Sequence, residues 1–271
     1  SGRAAVTVRW VDVNQGVDMV PNYRSRLVAR QLKAQDKSGQ SFFAPAPPLE
    51  ALRTVLSMAM TKVGTHVPDW SPSSPVRTQL SFVDVKRAYF NAKLDEGAKT
   101  YVQLPPEDPD AGVLCAELLR HMYGTRAAAD GWQEEYSSTL VGELEFVQGV
   151  ASPCLFRHSS RAIVVSVHGD DFTATGPKSR LDLFQHMMQS HYELAVGGRL
   201  GPGPSDTKEA TVLNPVLRWT EQGIEYEADP RQVERLLEEI ELDGDGVKGV
   251  VTAGQQPQQH QLADERELPE E

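Results

Sequence analysis

Alternating hydrophobic and polar residues predict that much of this chain forms β-strands. The alternation is clear over residues 5–13 (AVTVRWVDV) and over residues 23–32 (YRSRLVARQL), where arginines occupy one face of the predicted strand. Residues 78–90 predict a strand that runs into a helix or tight turn, and residues 164–176 predict a hairpin, with an apolar run before its two aspartates and an alternating run after them. Both stretches therefore contain aspartate. A buried-looking strand that carries aspartate raises the question of what its carboxylates do.

Apolar residues at helical spacing predict helices between and after these strands. They cover residues 47–64, 130–146, 179–194 and 229–242, and residues 111–124 predict a strand followed by a helix. Because strands and helices mix without strict alternation, we predict an α+β fold with an antiparallel sheet at its centre.

Charge is divided unevenly along the chain. The net charge over all 271 residues is −11, but the 21 basic and 21 acidic residues of positions 1–200 balance each other. The acidic excess therefore lies in the last quarter, whereas residues 1–60 are basic. The negative total says little about the partners of the first part of the chain, and a polyanionic partner there is not excluded.

Composition argues against a membrane protein and against a disulfide framework. The chain has no run of about 18 apolar residues, and its first residues are mixed and charged, so we expect neither a membrane span nor a signal peptide. Cys115 and Cys154 have neither metal-ligand nor disulfide spacing. We expect both to be reduced thiols in core or near-core positions of an intracellular protein.

Three aspartates are the candidate chemistry of this sequence. Asp170 and Asp171 follow an apolar strand, and Asp84 lies within another, between Val83 and Val85. Adjacent carboxylates repel each other unless a cation lies between them, so the pair is either a solvated turn or part of a metal site. If the strands share one sheet, the three carboxylates offer oxygen ligands that suit Mg²⁺ or Mn²⁺.

Seven sequence motifs occur in an order that points to one family. They are YRSRLVARQL, FFAPAPPLEALR, FVDVKRAYFNAKLDE, KTYVQLPP, HMYGTRAAADGWQEEY, SPCLFRH and VSVHGDDFTATG. In this order they resemble the reverse transcriptase domain of copia-type LTR retrotransposon polyproteins, over about residues 9–252. Each motif alone is weakly specific, whereas the seven together are strongly specific.

The resemblance implies a polymerase right-hand fold with an antiparallel palm sheet, packed helices, fingers and a partial thumb or connection. Fingers and palm would occupy residues 1–200, a thumb- or connection-like segment residues 201–252, and a disordered acidic tail residues 253–271. Asp84, Asp170 and Asp171 would be the catalytic, metal-binding triad for Mg²⁺ or Mn²⁺. The backbone carbonyl of Val85 would be a further metal ligand.

The resemblance also implies residues that bind the nucleotide and the template. Tyr89 occupies the position of an aromatic residue that packs against the incoming sugar and excludes a 2′-hydroxyl; the alternative is an ordinary core aromatic. Arg24, Arg26 and Arg30 would contact the triphosphate or the template, because arginine suits bidentate phosphate contact. A solvated strand face is the alternative for each arginine, and only one or two can point inward.

The sequence departs from the family pattern beside the predicted nucleotide pocket. Ala127, Ala129 and Asp130 stand where the family has Gln, Pro and Arg, which removes a polar contact and places a negative charge near a polyanion. In the last motif His168 replaces Tyr and precedes Gly169, which makes the turn more permissive. His168 could stack near a primer end or fill space.

We therefore predict an RNA-directed DNA polymerase domain that extends a primer 3′-hydroxyl by two-metal nucleotidyl transfer. Its partners would be an RNA or DNA template–primer, deoxynucleoside triphosphates, and the RNase H and integrase modules of a parent polyprotein, in a cytoplasmic particle or the nucleus. The alternative is a catalytically degenerate retroelement remnant that at most binds nucleic acid weakly. A nuclease that uses the same carboxylates is a third possibility.

Overall fold

The computed structural model describes residues 5–16, 19–32, 46–60, 78–95 and 99–242, together with the single residues 42, 44, 97 and 244. The chain divides into two compact units, Ser1–Tyr226 and Glu227–Glu271. The first unit contains nearly all of the described secondary structure, and the second contains one described helix. The predicted boundaries at residues 200/201 and 252/253 stay predictions, and the tail 253–271 lies outside the described residues.

A six-stranded sheet, in which every strand pair is antiparallel, forms the centre of the first unit. Its strands, in spatial order, are β10 (Leu194–Leu200), β3 (Thr78–Val85), β9 (Asp171–Pro177), β8 (Ile163–His168), β7 (Leu155–His158) and β6 (Val147–Gln148). The predicted mixed fold with a central antiparallel sheet is confirmed. The stretches that suggested buried strands form β3, β8 and β9, which are adjacent in the sheet.

Two helices and an aromatic cluster cover one face of this sheet. The helices are α2 (Ala128–Ser138), which continues into a π-helical turn at Thr139–Glu143, and α3 (Lys178–His191). The ring of Trp132 packs edge-on against Tyr136, Phe172 and Tyr192, with ring centroids 5.3–6.5 Å apart. Aromatic rings bury large apolar areas, and their edge-to-face packing fixes the helix positions on the strands.

The opposite face of the sheet is covered by α1 (Leu49–Met60) and by a three-stranded sheet. This small sheet consists of β11 (Glu209–Thr211), β12 (Val216–Trp219) and β13 (Ile224–Glu227). Helix α1 buries one face through Leu52, Val55 and Leu56, which pack with residues of β3 and β12. Because both faces of the sheet are covered, β9 is buried along nearly its whole length, including Thr173 and Thr175, which alternate with its apolar residues.

Two smaller hairpins complete the first unit. One joins β1 (Val8–Asn14) to β2 (Tyr23–Ala29), and the other joins β4 (Tyr101–Gln103) to β5 (Cys115–Glu117). The β1–β2 pair is largely exposed, and backbone hydrogen bonds from Ala29 and Gln31 to residues 123 and 124 attach it to the rest of the unit.

The helix predicted in residues 111–124 does not form. The strand expected before it is present as β5, but the residues that follow pair with other parts of the chain. The amide of Leu118 donates to Thr100, that of His121 donates to Ala92, and the carbonyl of Tyr123 accepts from Ala29. These tertiary hydrogen bonds satisfy the backbone groups that a helix would have used, so local propensity is overridden.

The two cysteines differ in burial. Cys154 is buried, as predicted, whereas Cys115 is exposed on β5. The expectation of a core or near-core position therefore holds for Cys154 only.

In the second unit, α4 (Pro230–Glu239) begins as its sequence predicts. The carboxylate of Asp229 accepts a hydrogen bond from the backbone amide of Arg231 at 3.1 Å, and Pro230 occupies the first turn. Among the described residues, no helix is both long and apolar enough to cross a membrane.

Candidate active site

The three candidate aspartates lie at the same end of the central sheet. Asp84 on β3 lies directly opposite Asp171 on β9 in the strand register. His168 and Asp171 close the β8–β9 hairpin, which leaves Gly169 and Asp170 as a two-residue turn. Gly169 has a φ of +63°, whereas Asp170 has a negative φ, so the turn needs glycine at its first position. The sequence prediction that Gly169 eases this turn agrees with its geometry.

Both carbonyl groups of the turn are hydrogen-bonded to neighbouring elements. The carbonyl of Asp170 accepts from the backbone amide of Val85 at 2.9 Å, which extends the β3–β9 pairing to the hairpin tip. The carbonyl of Gly169 accepts from the indole Nε1 of Trp132 at 2.8 Å. The residues that present the carboxylates are therefore attached to β3 on one side and to α2 on the other.

The carboxylates disfavour one another's ionisation. Burial, followed by the charges of Asp170 and Asp84, raises the pKa of Asp171, while His168 opposes the shift. Burial and the charge of Asp170 raise the pKa of Asp84. A pKa raised by burial and like charge marks a site where a cation would offset the repulsion.

The donor set suits a hard divalent cation, although the side chains do not form a finished cage. Carboxylate oxygens from Asp84, Asp170 and Asp171 are the ligand type that Mg²⁺ and Mn²⁺ prefer. In the part of the chain that the structure describes, no three His, Cys, Asp or Glu side chains are arranged to hold a metal ion. Convergence of three like charges on one point is expected only with a cation between them. The ligand roles of these residues and of Val85 stay predictions.

An aromatic group lies beside the carboxylates. The 3₁₀ turn Ala88–Asn91 follows β3 and presents Tyr89, whose ring centroid lies 4.5 Å from that of Tyr123. Burial and the charge of Asp170 raise the pKa of both tyrosines. Tyr89 is half-buried and also packs against the main core, so its surroundings agree with both roles that the sequence left open.

Two of the three candidate arginines reach the site. The charges of Arg24 and Arg26 on β2 lower the pKa of Asp84, and the guanidinium of Arg26 lies 5.9 Å from the centroid of the Tyr123 ring. Arg30 follows β2, is exposed, and donates its backbone amide to Thr7. Arg30 is not among the charges that shift the pKa of Asp84 or Asp171 in the described part of the chain.

Three residues of the site were not identified from the sequence. Tyr123 and Trp132 lie within the motif HMYGTRAAADGWQEEY, and Lys86 follows Val85 in FVDVKRAYF. Lys86 lowers the pKa of Asp84 and forms an ion pair with Glu193 at 2.9 Å. Because all three lie within the motifs, the motifs could have marked them as candidate site residues. Which motif residues face the carboxylates, however, depends on how α2 and residues 121–124 pack.

The departures from the family pattern lie at the start of α2. Ala127 precedes the helix without a side-chain cap, and Asp130 lies in its first turn, where the helix dipole favours an acidic residue. Gly131 packs against the buried ring of His121; a Cβ at residue 131 would lie 2.1 Å from His121 Nε2. The local packing of α2 therefore accounts for Gly131 and accommodates Asp130.

A small cavity opens beside the β8–β9 hairpin. Its volume is about 160 Å³, and it lies between β8–β9 and the residues that begin α1. Its lining includes His168, Asp171, Pro48, Leu52 and Leu213. His168 is exposed at the hairpin corner and does not fill core space; its stacking near a primer end stays a prediction.

Comparison with known proteins identifies the class to which this fold and site belong. Residues 1–201 match the family model described as reverse transcriptase (RNA-dependent DNA polymerase). A search among curated proteins found no match. The match spans well over half of the chain, so the chain belongs to the reverse transcriptase family, in the branch of copia-type elements, and the resemblance seen in the motifs is confirmed.

Reverse transcriptases are nucleotidyltransferases that act on nucleic-acid template–primers and generally use divalent metal ions. Membership of the family therefore supports RNA-directed DNA polymerisation as the general function of this domain.

Proposed function

We propose that this domain extends a primer 3′-hydroxyl by two-metal nucleotidyl transfer, with Asp84, Asp170 and Asp171 as the metal-binding carboxylates. The observation that carries the proposal is the register: Asp84 lies opposite Asp171, and the Asp170 carbonyl is bonded to the Val85 amide. Two strands and one turn thereby present three carboxylates at one sheet end. This arrangement favours a metal site over the alternative interpretation of Asp170 and Asp171 as a solvated turn.

In this proposal the three carboxylates share one role, which is to hold the metal ions. Bound Mg²⁺ or Mn²⁺ would lower the pKa of the primer hydroxyl and neutralise charge on the leaving pyrophosphate. Asp84, Asp170 and Asp171 would hold the ions, and the carbonyl of Val85 would add a backbone ligand. The protein's contribution would be orientation and fixed charge, which supply much of the rate enhancement in such sites.

The arrangement of elements supports the right-hand interpretation of the fold. The six-stranded sheet with α2 and α3 would be the palm, and β1–β2 would belong to the fingers. Strands β11–β13 and helix α4 would belong to a thumb or connection. Within this arrangement Arg24 and Arg26 would bind the triphosphate or template, because their charges already act on the carboxylate site.

Tyr89 would pack against the sugar of the incoming nucleotide. Its half-buried ring beside Tyr123 supports this role, because a ring fixed by a neighbour presents a defined edge. Substitution by a smaller residue would then admit ribonucleotides.

The wider context is part of the proposal as well. The domain would act within a retrotransposon polyprotein that also supplies RNase H and integrase modules. Its place of action would be a cytoplasmic particle or the nucleus.

A second candidate is a retroelement remnant that has lost polymerase activity. Ala127 and Asp130 favour it, because they remove a polar contact and add negative charge where a triphosphate would lie. Loss of a hydrogen bond to a charged partner weakens binding roughly tenfold to a hundredfold. The intact carboxylates oppose this candidate.

Primer extension tests the proposal directly. Wild type, Asp170→Asn and Asp110→Asn would be assayed on an RNA template with a DNA primer and Mg²⁺ or Mn²⁺. Asp110 is an exposed loop aspartate and provides the same chemical change outside the site. We expect incorporation by wild type and Asp110→Asn and none by Asp170→Asn.

The other outcomes assign the alternatives. Incorporation that Asp170→Asn leaves unchanged would overturn the two-metal proposal. No incorporation by any protein would favour the remnant, and cleavage of the strands would indicate a nuclease.

A further inference from the structure

We propose that Trp132 is a positioning residue for the predicted metal site, acting through its indole hydrogen bond to the carbonyl of Gly169. The inference rests on the proposed function, because the site it positions is the carboxylate site of that proposal. It begins from a bond between two parts of the chain that are 37 residues apart in sequence.

The environment of Trp132 makes this bond a fixed feature. The side chain is 1% exposed, and its rings are surrounded by Tyr136, Phe172 and Tyr192. An indole Nε1 is a donor only, and a buried donor needs an acceptor. The acceptor here is the carbonyl of Gly169, at 2.8 Å. The aromatic packing therefore sets where this carbonyl lies.

The position of Gly169 bears directly on the carboxylates. Gly169 and Asp170 form a two-residue turn, so the peptide unit that carries the Gly169 carbonyl also carries the amide of Asp170. The next carbonyl, that of Asp170, is bonded to the Val85 amide on β3. With both carbonyl groups anchored, rotation of either peptide of the turn would break a hydrogen bond. The direction of the Asp170 side chain is thereby restricted.

Restriction of this kind matters for binding an ion. A ligand that is already oriented loses less conformational freedom when the ion binds, so preorganisation lowers the concentration of ion required. The indole bond also joins the turn to α2, the helix that follows Ala127 and has Asp130 in its first turn.

The test variant is Trp132→Phe, which keeps an aromatic ring and removes the donor. Tyr192→Phe is the matched control for a lost hydrogen bond, because its hydroxyl shares a buried bond with Thr139 at 2.7 Å and makes no bond to the hairpin. Phe184→Leu is the control for lost volume, since Phe184 is fully buried in the same core and packs on Phe146.

Three measurements apply to each protein: binding of Mn²⁺ followed by electron paramagnetic resonance, the Mg²⁺ dependence of primer extension, and exchange of the Val85 amide. For Trp132→Phe we expect Mn²⁺ affinity to fall on the order of tenfold, the usual effect of one hydrogen bond. The Mg²⁺ concentration for half-maximal activity should rise by the same factor, while kcat at saturating Mg²⁺ changes less. The Val85 amide should exchange about tenfold faster.

Both controls should stay within about twofold of wild type in all three measurements. The positioning role is overturned if Trp132→Phe stays as close to wild type as the controls are expected to. It is also overturned if the controls lose as much Mn²⁺ affinity and amide protection as Trp132→Phe. If wild type shows no incorporation, the proposed function fails, but Mn²⁺ binding and amide exchange still decide the role of Trp132.

A measurement on the wild-type protein applies even if Trp132→Phe does not fold. The indole N–H of Trp132 and the amide of Val85 should exchange at rates within about tenfold of each other, because the two bonds hold the same turn. A rapidly exchanging indole beside a protected Val85 amide would overturn the inference.

Discussion

Two hairpins bring opposite charges to the same site, and they are built differently. The β8–β9 hairpin lies in the middle of the six-stranded sheet, is buried along most of its length, and carries Asp170 and Asp171. The β1–β2 hairpin is a separate two-stranded sheet whose residues are mostly exposed. Its second strand carries Arg24 and Arg26.

The contrast agrees with the roles proposed for the two sets of charges. An ion ligand has to be held to within about half an ångström, which requires packed neighbours and bonded backbone. A positive charge that attracts a phosphate acts over the Debye length of about 8–10 Å, so it tolerates a mobile support. We expect the β8–β9 hairpin (the acidic hairpin) to be rigid and to lose activity on substitution. We expect the β1–β2 hairpin (the basic hairpin) to be more mobile and to tolerate substitutions better.

The strongest test makes the same chemical change in both hairpins. Asp171→Asn should lower kcat of primer extension by about a thousandfold or more, because loss of a metal ligand costs several kcal/mol in the transition state. Asp12→Asn, an exposed aspartate on β1, should change kcat by less than about twofold. Equal effects at the two positions would show that the hairpins do not differ as described.

A second test compares the local stability of the hairpins. Backbone amides of Val165 and Phe172, in the central sheet, should exchange at least about a hundredfold more slowly than those of Val11 and Val28 in β1–β2. The reason is that opening the central hairpin breaks a packed core, whereas opening the outer hairpin exposes little apolar surface. Hydrogen exchange followed by mass spectrometry or NMR would measure this, and similar rates would remove the basis of the comparison.

A third test separates the arginines of the basic hairpin. Arg26→Ala should raise KM for the deoxynucleotide about tenfold, since a charge-assisted hydrogen bond contributes about 1.5–3 kcal/mol. Arg30→Ala, whose charge does not act on the described carboxylates, should change KM less than about threefold. Steady-state kinetics at two salt concentrations would check both values. If Arg30→Ala raised KM more than Arg26→Ala does, Arg30 would be the arginine that binds the nucleotide.

The smallest expected effect concerns stability and pH. The folded state raises the pKa of Asp171 above its ordinary value of 3.8, so it binds more protons than the unfolded state as pH rises past that value. The free energy of unfolding therefore falls through this window, and at neutral pH the ionised carboxylate destabilises the fold. Asp171→Asn should then raise the free energy of unfolding at pH 7, because the amide carries no charge that has to be buried beside Asp84 and Asp170.

Urea titrations at pH 7 and near pH 4 would measure this gain. It should shrink at the lower pH, where more of the wild-type carboxyl is protonated, and Asp12→Asn should show no gain at either pH. Added Mg²⁺ should stabilise wild type more than Asp171→Asn, because an ion stabilises only the state that binds it. A loss of stability in Asp171→Asn at pH 7 would contradict the assigned direction.

Several features of the fold could be predicted from local sequence because their causes are local. The apolar residues of β3 and β8 are mostly buried in the central sheet, as a strand with this pattern should be. The cap of α4 depends on Asp229 and Pro230 alone, and the tight turn depends on Gly169. The predicted helix before Gly124 failed for the opposite reason: the backbone groups of residues 118–124 are bonded to residues distant in sequence.

The sequence by itself determined the family, the order of its motifs, and the three aspartates that the site brings together. These features depend on residue identity and local pattern, which the chain carries wherever it packs. Only the tertiary structure decided that Asp84 faces Asp171, that Arg24 and Arg26 act on the site, and that Trp132 holds the turn beside Asp170. Such contacts join residues tens of positions apart, and the packing of α2, β2 and the central sheet selects them from many that the sequence would allow.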